Sequence, residues 1–126
     1  MKKLLILLFS LLISFNSYGE WTQVQESDET NFYVDFDRIK TSNGHVYYWD
    51  LLNFLKPDQW GNMSVTRYLE GDCGVFRYKT LTYIFYKQQM GNGEGETDTP
   101  KNPEWKYFPP KSIGEHNLNS VCNYFK

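Results

Sequence analysis

Apolar and polar positions divide the chain into three regimes. The first runs from the N-terminus: Lys2 and Lys3 precede an almost unbroken apolar run, Leu4 to Ile13, and polar Ser14, Asn16 and Ser17 follow. Ser17-Tyr18-Gly19 then sets small residues at the two positions a signal peptidase inspects. That order predicts a secretory signal peptide over residues 1–19, with Glu20 as the mature N-terminus. The run is about 10 residues, half of the roughly 20 that a bilayer-crossing helix needs; the alternative is an uncleaved anchor. No cysteine lies near the cleavage site, so no lipid anchor is predicted.

The second regime alternates with period two. Trp21 to Ser27 opens it, and Ser27-Asp28-Glu29-Thr30-Asn31 breaks it. Phe32, Val34 and Phe36 alternate with Tyr33 and Asp35, as in a half-buried strand. Asn43-Gly44 predicts a hairpin turn. In His45 to Lys56 both faces are apolar, with Val46, Tyr48, Leu52 and Phe54 on one and Tyr47, Trp49, Leu51 and Leu55 on the other. Such a strand belongs at the centre of a sheet, covered on both sides. Residues 57–62 turn the chain, and Met63, Val65, Arg67 and Leu69 then alternate with Ser64, Thr66 and Tyr68. Val75 to Lys87 is the next strand, with Phe76, Tyr78, Ile84 and Tyr86 on one face and Leu81, Tyr83 and Phe85 on the other. Met90 to Pro103, rich in Gly and acid, reads as an exposed, mobile loop. Trp105 to Phe108 is a short strand stopped by Pro109-Pro110.

The third regime is helical. Ser112-x-x-Glu115 is a capping box, and Leu118, Val121, Cys122 and Phe125 fall on one helix face. The prediction is an α+β domain over residues 20–126: a single antiparallel sheet of about six strands with a C-terminal helix on one face.

Composition adds the compartment and excludes some partners. Losing Lys2 and Lys3 from 13 bases leaves 11 against 15 acids, a net charge near −4. That argues against nucleic acid or an anionic membrane, both of which need clustered Lys and Arg. Cys73 and Cys122 are the two cysteines, and an even count in an exported chain reads as one disulfide. It closes a loop of about 50 residues, worth about 4 kcal/mol. A thiol redox site would call for Cys-x-x-Cys or a neighbouring His, and neither is present.

Several segments together resemble the surface-adhesin protein E family. They are Ser64-x5-Glu70-x-Asp72-Cys73, Tyr86 with Met90-Gly91-x-Gly93-Glu94, Trp105-x3-Pro109-x2-Ser112-x-Gly114-Glu115, and Cys122. The opening WTQVQESDETNFYVDFDRIK is similar to the family's first two strands. The resemblance implies a single antiparallel sheet whose concave face holds a disulfide-tethered C-terminal helix. It also implies adhesion, because the family takes its name from an outer-membrane adhesin that binds host proteins such as vitronectin, laminin and plasminogen.

Candidate chemistry is sparse. His45 and His116 lack the further ligands of a zinc site, so no metal or cofactor is expected. Asp35-x-Asp37 has too few oxygens for calcium and reads as a strand end and cap. The Gly91–Asp98 loop lacks the Gly-Lys-Ser/Thr of a phosphate cradle. No Ser-His-Asp, Cys-His or isolated carboxylate pair stands out, so no enzyme is expected. Aromatics, 18% of the chain, are the remaining lead, since Tyr and Trp concentrate at interface hot spots. Trp60, Tyr68, Tyr83, Tyr86 and Trp105 are the candidate partner-binding residues. The reading is an exported, non-catalytic module in the periplasm or at the surface of a Gram-negative-type bacterium, binding a protein partner or a host or extracellular-matrix component through an aromatic sheet face, with self-association through an uncovered sheet edge as one form of this. Alternatives are capture of a haem-like ligand between sheet and helix, with His45 or His116 as axial ligand, a hydrolase with an unrecognised site, and a structural envelope protein without a ligand.

Overall fold

The computed structural model describes residues 20–124. The predicted signal peptide and Phe125 of the predicted helix stripe lie outside them. Eight strands form one sheet: β1 (Thr22–Glu26), β2 (Thr30–Val34), β3 (Lys40–Ser42), β4 (His45–Phe54), β5 (Ser64–Asp72), β6 (Arg77–Tyr86), β7 (Gly95–Asp98) and β8 (Lys106–Tyr107). Their main order is β1-β2-β4-β5-β6-β7, all antiparallel; β3 adds to β4 and β8 to β6. One α-helix, α1 (Ile113–Asn123), follows. β4 is a long strand inside the sheet, as its two apolar faces predict, but each half of it is covered on one face only rather than on both. Asn43 and Gly44 both take positive φ, so Asn-Gly turns β3 into β4 with Ser42 opposite His45.

Two strands exceed the predicted six, and both are short. β3 is a fully exposed three-residue strand, and β7 lies inside the segment read as a mobile loop. All four residues of β7 are exposed, so no alternation marks it; it is held by pairing with Tyr83–Tyr86 of β6.

Cross-strand partners share a face, which gives the sheet an inner, helix-bearing face and an outer one. On the inner face Leu118 and Val121 of α1 pack on Val34, Val46, Tyr48 and Leu69, with Cys73 and Cys122 beside them. The helix sits so close to β5 that a Cβ at Gly71 would meet Leu118 Cδ1 at 2.6 Å. Ser112 caps α1 by accepting from Glu115 N, while Glu115 accepts from Lys111 N. Cys73 and Cys122 are joined. Beyond the helix a bidentate pair, Arg67 to Asp50, occupies the inner face, with Asp50 buried and Arg67 about a fifth exposed. Burial opposes the charge on Arg67, but the touching Asp50 carboxylate outweighs it and holds the guanidinium protonated.

Coverage switches faces along β4. Residues 46, 48 and 50 are buried on the inner side, whereas residues 51 and 53 are buried on the outer side. The cover there is a 3-10 turn, Gln89–Gly91. Met90 N donates to Asn53 Oδ1 at 2.8 Å, Gly91 N donates to Ser64 Oγ at 2.9 Å, and Ser64 Oγ donates to Gln88 O at 2.6 Å. Gly91 has φ +66 and leaves no slack for a Cβ, which would stand 3.2 Å from Leu51 Cδ1.

The predicted faces of β6 need correction. Tyr68 pairs with Thr82 but Leu69 pairs with Thr80, so Leu81 is an extra residue. A one-residue bulge inverts every later position. Tyr78 is inner, stacked on Phe108 at 4.1 Å, whereas Ile84 and Tyr86 are outer and Tyr83 and Phe85 inner. Phe76 precedes the strand with φ 53.

Candidate binding face

The helix and the 3-10 turn cover opposite ends of opposite faces. What stays open on the outer face is the end remote from the turn. Three cross-strand rows make it: His45–Asp72–Arg77, Tyr47–Glu70–Lys79 and Trp49–Tyr68–Thr82. Tyr47 and Trp49 alternate outward from β4 for the same reason that Val46 and Tyr48 turn inward.

The rings brace one another. Tyr68 lies 5.1 Å from Trp49 and 6.3 Å from Tyr47, centroid to centroid. On one flank Asp35, fully buried, caps the 3-10 turn Phe36–Arg38 by accepting from Asp37 N at 3.1 Å. The same carboxylate accepts from Arg38 Nε, and the guanidinium lies over both Trp49 (5.6 Å) and Trp21 (5.9 Å). The Asp35-x-Asp37 pair is thus a cap, with Asp37 exposed and Asp35 committed to Arg38.

On the other flank Trp105 receives Arg77 at 4.2 Å and Lys79 at 4.4 Å, with the His45 ring edge-to-face at 5.3 Å. The segment around β8 wraps the sheet edge, putting Trp105 on the outer face and Phe108 on the inner one. His45 Nδ1 is 2.7 Å from Glu70 Oε2, and its Nε2 is 3.7 Å from Asp72 Oδ2. Arg77 Nε donates to Asp72 Oδ2 at 3.1 Å. Burial alone would raise the Asp72 pKa, but the Gly74 N–H, Arg77, the Val75 N–H and His45 outweigh it and lower the value. Burial and the neighbouring Glu70 raise the Tyr47 phenol.

Of the five aromatics singled out from the sequence, only Tyr68 and Trp105 belong to this surface. Tyr83 faces inward beside Phe85, centroids 5.9 Å apart. Tyr86 is outward but lies beneath the 3-10 turn, against the Gly91 backbone. Trp60 stands alone at the β4–β5 turn, 69% exposed. The residues missing from that set were Tyr47, Trp49, Trp21, Arg38, Arg77, Lys79 and Glu70. Alternation from Tyr47 and Trp49 would have found Glu70 opposite Tyr47; the Arg38 bridge depends on a cap geometry that sequence does not display.

The two histidines do not share a site. His45 is spent on two carboxylates and a tryptophan on the outer face, away from the helix. His116 lines a cavity of about 490 Å³ beside α1 with Gln25, Phe76, Lys111, Ser112 and Glu115. Phe76 is the one aromatic wall among these, so this cavity lacks the apolar slot a haem-like macrocycle requires, and His45 is on the wrong face to ligate one there. Among the described residues no group of three or more His, Cys, Asp or Glu could hold a metal, and no helix is long and apolar enough to cross a membrane. Flat rings with paired charges between them suit contact with another surface.

A family model, surface-adhesin protein E, matches residues 21–123. No curated protein matches the chain. Protein E from non-typeable Haemophilus influenzae superposes with a TM-score of 0.61 at 16% identity, covering 82% of this chain and 76% of that one. A second crystal form of Haemophilus influenzae protein E gives 0.58 at 19% identity, over 82% and 94%. Its selenomethionine form gives 0.56 at 16%, over 84% and 95%. At these identities the likeness is one of fold.

Proposed function

The chain belongs to the surface-adhesin protein E family, and on that premise we propose that it is an exported, non-catalytic module that docks another protein on the open half of its outer face. The observation that carries this reading is the set of Tyr47, Trp49, Tyr68 and Trp105 on a part of the sheet that neither α1 nor the 3-10 turn covers. Aromatic anchors with a polar and cationic rim are the make-up of an interface core. Family membership supports a role outside the cytoplasm, in the periplasm or at the cell surface, and the N-terminal leader pattern supports export. Host matrix or serum proteins are the partner class that the family suggests.

The test places a photo-crosslinking residue at Thr82, within the open face, in cells that make the native chain, and identifies what is captured. Tyr68→Ala and Trp105→Ala should then each lower retention of that partner at least tenfold while the melting temperature stays within a few degrees. Unchanged retention in both variants refutes the face, as does unfolding of both together with intact retention by a folded Lys79→Ala.

A further inference from the structure

Trp60 takes no part in the outer face, yet it is the most exposed large hydrophobic residue described, at 69%, and Leu55 of the same turn is 49% exposed. The turn that carries them is built rather than slack. Asp58 Oδ1 accepts from Trp60 N at 2.9 Å and Asn62 N at 2.8 Å, and Asp58 Oδ2 accepts from Asn62 Nδ2 at 3.1 Å. Asp58 N donates to Asn62 O, and Gly61 N to Asp58 O, both at 3.0 Å. Leu55 N donates to Glu29 O at 2.9 Å, and Lys87 Nζ donates to Trp60 O at 2.7 Å. Gly61, at φ +81, supplies the left-handed step.

We propose that this tip of the β4–β5 hairpin is a membrane-interface wedge, seating the Trp60 indole and the Leu55 side chain among the headgroups and upper acyl chains of a zwitterionic phospholipid bilayer. Four features converge on that occupant. Trp60 and Leu55 stand 69% and 49% exposed on a hairpin tip, so a bilayer can meet them without a matching cavity. Indole is the side chain that favours the headgroup boundary. Five of the tip's backbone N–H groups, those of Leu55, Asp58, Trp60, Gly61 and Asn62, bond to Glu29, Asn62 or Asp58, which lowers the cost of leaving water. Charges of both signs surround it: Lys56 follows Leu55, Lys87 bonds Trp60 O, and Asp28 and Glu29 belong to the adjoining β1–β2 turn, where Glu29 O accepts from Leu55 N. Phosphate and amine of a zwitterionic headgroup complement that collar, whereas an anionic surface would repel a domain with 11 bases against 15 acids beyond the leader, a net charge near −4. The carboxylate of Asp58, the acid within the tip, is turned into the loop by its three donors. Burial pushes its pKa up, but the Asn62 and Trp60 donors and nearby Lys87 outweigh that and hold it low.

The experiment is sedimentation of the full domain with phosphatidylcholine–phosphatidylethanolamine vesicles, read together with Trp fluorescence quenching by lipids brominated near the headgroup end of the acyl chain. Binding with quenching is expected, falling about tenfold in Trp60→Ala, which gives up roughly 1.4 kcal/mol of transfer free energy. Trp60→Phe should bind but lose the quenching, since Trp21, Trp49 and Trp105 lie on or beside the sheet. Raising the phosphatidylglycerol fraction should weaken binding. No sedimentation at millimolar lipid, equal binding by Trp60→Ala, or quenching that survives Trp60→Phe overturns the proposal. Melting temperatures of both variants should match the parent, because Trp60 packs on nothing in the core. A wedge that instead proves to enter a protein pocket would show as vesicle-independent, Trp60-dependent capture, and this too overturns it.

Discussion

Replacing both Cys73 and Cys122 by Ala isolates the contribution of the tether. The two residues are 49 positions apart, so the covalent link removes from the unfolded chain the freedom of a loop of about 50 residues. Chain-entropy theory values that at about 4 kcal/mol. The native helix has few other anchors: 11 residues, of which the fully buried apolar side chains are Leu118 and Val121. A helix of that length is marginal by itself. At about 4 °C per kcal/mol for a domain of this size, the double variant should melt roughly 15 °C lower. Its helical circular dichroism should also decay before the signal of the sheet tryptophans, because α1 can now leave without the strands. The assay is thermal denaturation followed at 222 nm and by Trp fluorescence, at fixed pH and concentration. A drop below about 4 °C, with coincident transitions, refutes the reasoning: packing alone would then hold the helix.

Three further outcomes follow from particular contacts. Asp50→Ala strands the Arg67 charge on the inner face and should cost about 3 kcal/mol in urea denaturation, the low end for a broken buried pair since Arg67 keeps some water; Asp50→Leu with Arg67→Met should recover most of it. Asp72 has a lowered folded-state pKa, so its contribution is complete above the unfolded value near 4 and is lost as pH falls through the lower folded value. Melting curves of the wild type from about pH 4.5 to pH 2 should therefore decline more steeply than those of Asp72→Asn. Gly114→Ala would set a Cβ 2.2 Å from Phe108 Cε1, on a ring already stacked against Tyr78. The overpacking, about 1–3 kcal/mol, exceeds the gain of up to about 1 kcal/mol in helix propensity, so chemical denaturation should show net loss, partly rescued by Phe108→Leu.

What could be read from sequence was what repeats. Period two located β4, β5 and most of β6, Asn43-Gly44 fixed a hairpin, and Ser112-x-x-Glu115 with the Leu118–Val121 stripe located α1. Single insertions and polar strands escaped. Leu81 bulges out of β6, which no alternation announces, so unbroken alternation groups Tyr78 with Ile84 and Tyr86 although the bulge puts Tyr78 on the opposite face, with Tyr83 and Phe85. β7 is four exposed residues held by backbone pairing, a bond type indifferent to side chains. The candidate site was half legible for a related reason. Tyr68 and Trp105 declare themselves by type, but which aromatics remain open depends on where the 3-10 turn lands, and that is set by Asn53, Ser64 and two residues of positive φ, Met90 and Gly91.

The family signature segments divide along the same line. Ser64 and Met90-Gly91 clamp the turn, Ser112 and Glu115 cap the helix, Gly114 admits Phe108, and the cysteines join α1 to the sheet. All of these are framework. Their joint effect is to cover the inner face at one end and the outer face at the other, leaving the braced rings uncovered. Arg38 between Trp21 and Trp49, and Trp105 between Arg77, Lys79 and His45, fix those rings before any partner arrives. Ordering rotamer-rich side chains on association costs about 0.5–1.5 kcal/mol each. Here that ordering is already part of the fold, so under the proposed function a partner would meet a surface whose shape is set by the same contacts that stabilise the sheet.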